Sequence, residues 1–193
     1  MPIISYNESW MTYNFFLACI AVGFGFLLLI FKNKLLKIIF GSIWLLFLPN
    51  TIYIFTDLEH LIYQWHLVPM PLLLFLLFQY AVFEIAGILT FFLGFLPFER
   101  FIQGKLFDKH AGAFIIALNF LIAFGMVLGR VERINSWEVI IHPLQVVSSA
   151  FTVLTTFDLL GLTLLFGLFC NFLYFLFRDQ VRVVIRKYLQ LLD

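Results

Sequence analysis

Leu48-Pro49-Asn50-Thr51-Ile52-Tyr53-Ile54-Phe55-Thr56-Asp57-Leu58-Glu59-His60 is the stretch where an apolar run ends and polar side chains gather. If the backbone stays helical through it, Asn50, Tyr53, Asp57 and His60 fall at offsets of 0, 3, 7 and 10, which puts all four on one face. The stretch marks the exit of a membrane-crossing helix, and the rest of the topology is counted outward from it.

The composition requires such helices. Of 193 residues, 63% are hydrophobic and only 12% charged, with 27 phenylalanines, and the mean hydropathy is +1.04. Soluble domains are about 45–50% apolar and 25% charged. Several apolar runs reach the roughly 20 residues that cross a hydrocarbon core, so this is an integral membrane protein. A net charge of +1 without a basic patch disfavours nucleic acid as a partner. Cys19 and Cys170 sit inside apolar runs with no cysteine neighbour at ligand spacing, which argues against a disulfide or metal framework.

A first span covers about residues 13–31, with Trp10 and Tyr13 as interfacial aromatics and Lys32, Lys34 and Lys37 beyond its far end. Its apolar run is too long for a cleaved signal and lacks a basic start, so it reads as a retained span. The second, about 35–55, contains Pro49, which predicts a kink or break near its exit. The third, about 71–94, carries Glu84; the fourth, about 111–129, carries Asn119; the fifth, about 159–177, carries Asn171. Residues 178–193 form a basic amphipathic cytoplasmic tail, with Arg178, Arg182 and Arg186 at four-residue spacing.

Residues 144–157 are too short to span and place Ser148, Thr152 and Thr155 on one helical face, as a re-entrant or interfacial helix would. Charge arbitrates. With five spans and the N-terminus outside, ten of the twelve Lys and Arg are cytoplasmic and only Arg130 and Arg133 remain outside. A sixth crossing would export the cationic tail. The expectation is an all-α polytopic helical bundle in the cell membrane, a single transmembrane domain over 1–193, with a short helix on the outer face.

Two connections rich in polar residues then open on the same side. One runs from Thr56 to Pro71 and holds Asp57, Glu59, His60, Tyr63, Trp65 and His66. The other holds Arg130, Glu132, Arg133, Asn135, Ser136, Trp137 and Glu138, followed by His142. If the fourth helix continues past its apolar end, Asn119, Arg130, Arg133 and Trp137 share a face. Leu48-Pro49-Asn50 with Tyr53 and Thr56-Asp57-Leu58, and later Gly129-Arg130, Arg133 and Asn135-Ser136-Trp137, resemble an uncharacterised family of small bacterial integral membrane proteins known only as a domain of unknown function. The resemblance covers most of the length. It implies a bacterial multi-span protein and assigns no activity and no functional residue.

The chemistry of the rim leaves several readings open. Asp57 and His60 are candidate acid and base, Arg130 and Arg133 candidate clamps for a phosphate or carboxylate, and Asn50, Tyr53, Asn135 and Trp137 candidate substrate contacts. A lipid headgroup or lipid-linked phosphate in the cell envelope fits such a set. Alternatively the arginines pair with Asp57, Glu59 or Glu132 and tie helices together, leaving a non-catalytic partner or assembly subunit. A metal on His60, His66 and His142 with Asp57, Glu59 or Glu138 lacks an HxxxH or HExxH spacing. Haem is disfavoured because the histidines lie at or outside span ends, and no cofactor is expected. Membrane lipids are the expected partners, with a homo-oligomer or membrane-protein partner as a further option.

Glu84 lies roughly 20 Å from the outer end of its helix, and Asn119 and Asn171 fall at nearly the same depth. A carboxyl facing lipid costs on the order of 2.5–3.5 kcal/mol, so the three predict a shared interior polar cluster. It would serve either as a proton, ion or substrate path or as interhelical glue.

Overall fold

The computed structural model describes residues 2–102 and 110–189. The expected cytoplasmic Lys105 and Lys109 and the end of the tail, 190–193, lie outside the described residues, as do the side chains of Arg182, Arg186 and Lys187. The chain forms two compact units, Met1–Glu99 and Arg100–Asp193. Among the described residues every regular element is helical, and five stretches are long and apolar enough to cross a membrane: Ile3–Ile30, Lys34–Gln64, Met70–Arg100, Ala111–Arg130 and Phe157–Gln180. This is a multi-pass membrane protein. Its large apolar side chains are exposed along every span, from Phe16 and Ile38 to Phe78, Leu121 and Phe172, as helices solvated by lipid require.

The first unit begins with α1 (Pro2–Ile30). Asn33 then starts α2 (Lys34–Phe47) as its N-cap, its Oδ1 accepting from the amides of Leu35 and Leu36 at 2.9 and 3.4 Å. At Pro49 the helix restarts as α3 (Pro49–Tyr53), passes through a 3-10 turn (Ile54–Asp57), and resumes as α4 (Leu58–Gln64). Proline removes one backbone donor, and the nearby carbonyls find side-chain donors instead: Asn50 Nδ2 donates to Phe47 O at 3.0 Å and Thr51 Oγ1 to Leu48 O at 2.7 Å. Residues 65–69 turn the chain into α5 (Met70–Ile102).

Contacts fix the directions. Asn7 on α1 bonds Gln64 and Asn14 bonds Asp57, while Gly25 meets Trp44, so α1 runs antiparallel to the α2–α4 crossing. Asn7 faces Gln79, 72 positions on, and Gly25 faces Pro97, so α1 and α5 run parallel. The helices approach closely where α5 has no side chain. A Cβ on Gly87 would lie 2.8 Å from Ile54 Cγ2, and one on Gly94 would lie 2.8 Å from Leu48 Cδ1. Towards the lysine-bearing end the interior is apolar, with Leu48, Ile52, Ile54, Phe91 and Phe95 fully buried.

The second unit pairs α6 (Ala111–Arg130) with α9 (Phe157–Leu189). Asn119 bonds Asn171, Phe120 packs on Gly167, and Val127 near the end of α6 packs with Leu159 and Leu162 near the start of α9, so the two are antiparallel. Their connection therefore leaves and returns at one end. It contains α7 (Glu138–Ile141) and α8 (Pro143–Thr155), and the 13 residues of α8 do not add a crossing. Val153 of α8 is fully buried against Val127 and Leu128, whereas Leu144, Val147, Phe151 and Leu154 form an exposed apolar stripe. The hydroxyls of Thr152 and Thr155 donate to carbonyls of their own helix at 3.1 and 2.8 Å, which leaves them satisfied without water.

Several boundaries differ from the expectation. α1 begins at Pro2 and not near residue 13, so Trp10 packs inside the unit: its ring lies 5.0 Å from that of His60 and 5.6 Å from that of Phe83. Asp57, Glu59, His60 and Tyr63 belong to a continuing helix, not to a loop. The 3-10 turn also advances about 20° more per residue than an α-helix, which pulls Asp57 out of line with Asn50 and Tyr53. α6 stops at Arg130. Arg133 has a left-handed φ of 56° that turns the chain back, and Ile134 N donates to Leu128 O at 3.1 Å, so Asn119, Arg130, Arg133 and Trp137 do not share a helical face.

Candidate functional site

Polar side chains inside the first unit fall into two layers, one helix repeat apart. Asn7 of α1, Gln64 of α4 and Gln79 of α5 make the first. Asn7 Nδ2 donates to Gln64 Oε1 at 2.8 Å and to Gln79 Oε1 at 3.2 Å, and Asn7 Oδ1 accepts from Gln64 Nε2 at 2.9 Å and from Trp10 Nε1 at 3.1 Å. Gln79 Nε2 donates to Ile4 O at 3.0 Å, and Tyr80 OH to Gln64 Oε1 at 3.4 Å. Asn7 is fully buried with all its hydrogen-bonding capacity used, as a buried amide must be.

Seven residues further along α1, about 10 Å deeper, lies the second layer. Asn14 Nδ2 donates to Asp57 Oδ2 at 2.8 Å, and Asp57 is 1% exposed. His60 Nδ1 stands 4.0 Å from Asp57 Oδ1, too far for a hydrogen bond, and is buried without a partner. Glu84 and Tyr80 of α5 both interact electrostatically with Asp57. Both carboxyl oxygens of Glu84 are buried and have no hydrogen-bond partner. The first layer is thus closed on itself, while the second holds buried polar atoms of Glu84 and His60 without a partner.

The layers do not continue through the unit. Beyond them, Thr51 and Thr90 turn their hydroxyls to carbonyls of their own helices, and Ile52, Ile54, Phe91 and Phe95 fill the interior. Among the described residues the next polar link between helices is Trp44 Nε1 to Gly94 O at 2.8 Å. Both polar layers lie towards the end of the unit that carries the N-terminus and residues 65–69, with the saturated first layer outermost.

The residues singled out from sequence fare differently. Asp57, His60 and Glu84 come together in the second layer. Asn50 mends the break at Pro49, and Tyr53 is half-buried next to it, its carbonyl accepting from Thr56 Oγ1 at 2.6 Å. In the second unit, Asn119 Nδ2 donates to Asn171 Oδ1 at 3.0 Å and Asn171 Nδ2 to Gly167 O at 2.8 Å. Glu84 lies in the first unit, where Asp57 is its electrostatic neighbour. Arg130 ends α6, Arg133 is exposed in its left-handed turn, Asn135 Nδ2 donates to Glu138 Oε1 at 3.1 Å, and Trp137 precedes α7. Among the described residues no group of three or more His, Cys, Asp or Glu is placed to hold a metal ion.

Asn7, Asn14, Gln64, Gln79 and Tyr80 were missed by the sequence reading. The signal was present: Asn7 and Asn14 stand seven apart, as do Asp57 and Gln64, and this is the spacing that returns a helix to the same face. Starting the first span near residue 13 left Asn7 outside the membrane and hid the pattern.

A family model described as a protein of unknown function (DUF1361) matches residues 13–173. The chain belongs to the DUF1361 family. No curated protein and no solved structure matches it. The stretch matched to DUF1361 takes in Asn14, Asp57, His60 and Glu84, so the whole second layer lies within it, while Asn7 precedes it.

Proposed function

We propose that this protein binds the polar head of a lipid or lipid-linked molecule, and that the second polar layer of the first unit is the binding element. What supports this reading is the count of hydrogen-bonding groups there. Glu84 Oε1, Glu84 Oε2 and His60 Nδ1 are buried polar atoms without a hydrogen-bond partner, beside the buried Asp57. Leaving such atoms unpaired costs about 1–3 kcal/mol each, and a head group with hydroxyl or amine groups that reached them would recover that. In this reading Asp57 and His60, 4.0 Å apart, exchange a proton with such a head group once it lies between them. In the second unit, Arg130 and Arg133 are the proposed contacts for an anionic phosphate. The orientation proposed is N-terminus outside, which sets the end of the unit that carries both polar layers on the extracytoplasmic side.

A scaffold reading draws on the first layer, whose saturated amides look like interhelical glue. The test is Asp57→Asn and Glu84→Gln, each compared with Gln64→Leu in cells and by native mass spectrometry with bound lipid. If the reading holds, the second-layer variants lose bound ligand or phenotype at unchanged protein abundance, whereas Gln64→Leu lowers abundance. If Asp57→Asn and Glu84→Gln keep wild-type lipid and phenotype, or act only by lowering abundance, the protein is a scaffold.

A further inference from the structure

Although Gln79 bridges the parallel helices α1 and α5 through Asn7 and Ile4, the two leave an open face beside that bridge. Between them lies a groove of about 750 Å3, lined on α5 by Phe75, Phe78, Val82 and Phe83 and on α1 by Met11 and Phe15. It runs from Ile4 to Phe15 of α1, about 16 Å, which is the reach of one hydrocarbon chain within a leaflet and too short for a crossing helix of a partner. Its walls are continuous with the lipid-exposed faces of both helices, where Phe75, Phe78, Val82 and Phe15 are exposed.

The groove is not uniformly apolar. Ser5, Glu8 and Thr12 recur along the α1 wall at helical spacing, and Gln79 stands opposite them. Glu8 is exposed in the groove and forms no hydrogen bond or ion pair among the described residues. The lysines of the first unit, Lys32, Lys34 and Lys37, lie some 24 or more residues further on, past the other end of α1, about 36 Å away. Glu8 thus sets a carboxylate at the mouth of the groove, where a ligand head that carries a cation can meet it.

We propose that the α1–α5 groove is a lipid site that takes one acyl chain of an amine-bearing phospholipid, with the Glu8 carboxylate meeting its ammonium group. The site deepens the lipid reading above and rests on it only for the class of ligand. Its residues are distinct from Asp57, His60 and Glu84. Val82 is half-exposed on the groove wall, so Val82→Trp fills the groove without disturbing the core.

The experiment purifies the full chain from vesicles of equal parts phosphatidylethanolamine and phosphatidylglycerol and counts retained lipids by native mass spectrometry. Wild type should retain the ethanolamine lipid several-fold over the glycerol lipid. Glu8→Gln should bring the two to parity with a chain still bound, and Val82→Trp should lose most bound lipid, with thermal melting unchanged in both. Equal retention of the two lipids by wild type, an undiminished preference in Glu8→Gln, or undiminished lipid in Val82→Trp overturns the proposal. So does a lipid-free dimer whose α1–α5 grooves crosslink to each other. Retention by Asp57→Asn equal to wild type supports the groove while removing the second polar layer from the account.

Discussion

The two units solve the same problem, holding apolar helices together in lipid, by different means. In the second, α6 and α9 share the Asn119–Asn171 amide pair and pack closely, with Gly167 giving way to Phe120 and Val153 sealed against Val127. The first carries two polar layers across α1, α4 and α5. Lipid tails are as apolar as leucine, so burial drives little association, and packing or hydrogen bonds must supply it. One saturated layer would serve that purpose. The second layer buries Asp57 and leaves polar atoms of Glu84 and His60 without a partner, and the proposed site rests on that difference from the first.

If the first unit depends on its saturated layer, Gln64→Leu should have the largest effect. It strands Asn7 and Tyr80, with an expected loss of about 3 kcal/mol read as a large drop in melting temperature in detergent. A change within about 0.5 kcal/mol would show that the layer does not hold the unit. Next comes Gly167→Ala, whose Cβ would collide with the Phe120 ring; overpacking at such a contact costs about 2 kcal/mol, and melting combined with Phe120→Ala should recover part of it. Asn119→Leu removes the amide pair of the second unit and should cost about 1 kcal/mol or less, well below Gln64→Leu, since Asn119 Oδ1 has no donor to lose. An equal loss in the two variants would erase the contrast between the units. The smallest effect expected is a gain: Arg133→Gly relieves a left-handed backbone strain of about 1–2 kcal/mol and gives back part of it as chain entropy, for a net stabilisation of about 0.5 kcal/mol.

What could be read early, and what could not, divides along the range of the interaction. The break at Pro49 was legible because proline's missing donor acts within its own helix. That residues 144–157 do not form a sixth crossing was legible from length and charge, and the antiparallel pairing of α6 with α9 agrees with it. The continuation of the second helix through His60 was not, because polar residues at a span's end look alike whether they face water or a neighbouring helix. Nor was the stop at Arg130: a left-handed arginine has no local signature such as glycine would provide.

By itself, then, the sequence determined that the chain crosses a membrane on five apolar helices, where the break at Pro49 falls, and which polar residues lie along those helices. Only the tertiary structure decided which of them meet. Hydropathy is a property of each segment, but the partner of a buried amide or carboxyl is set by the direction and register of another helix. Parallel α1 and α5, with α4 antiparallel between them, bring Asn7, Gln64 and Gln79 to one level and Asn14, Asp57 and Glu84 to the next, and no single stretch of the chain contains that information.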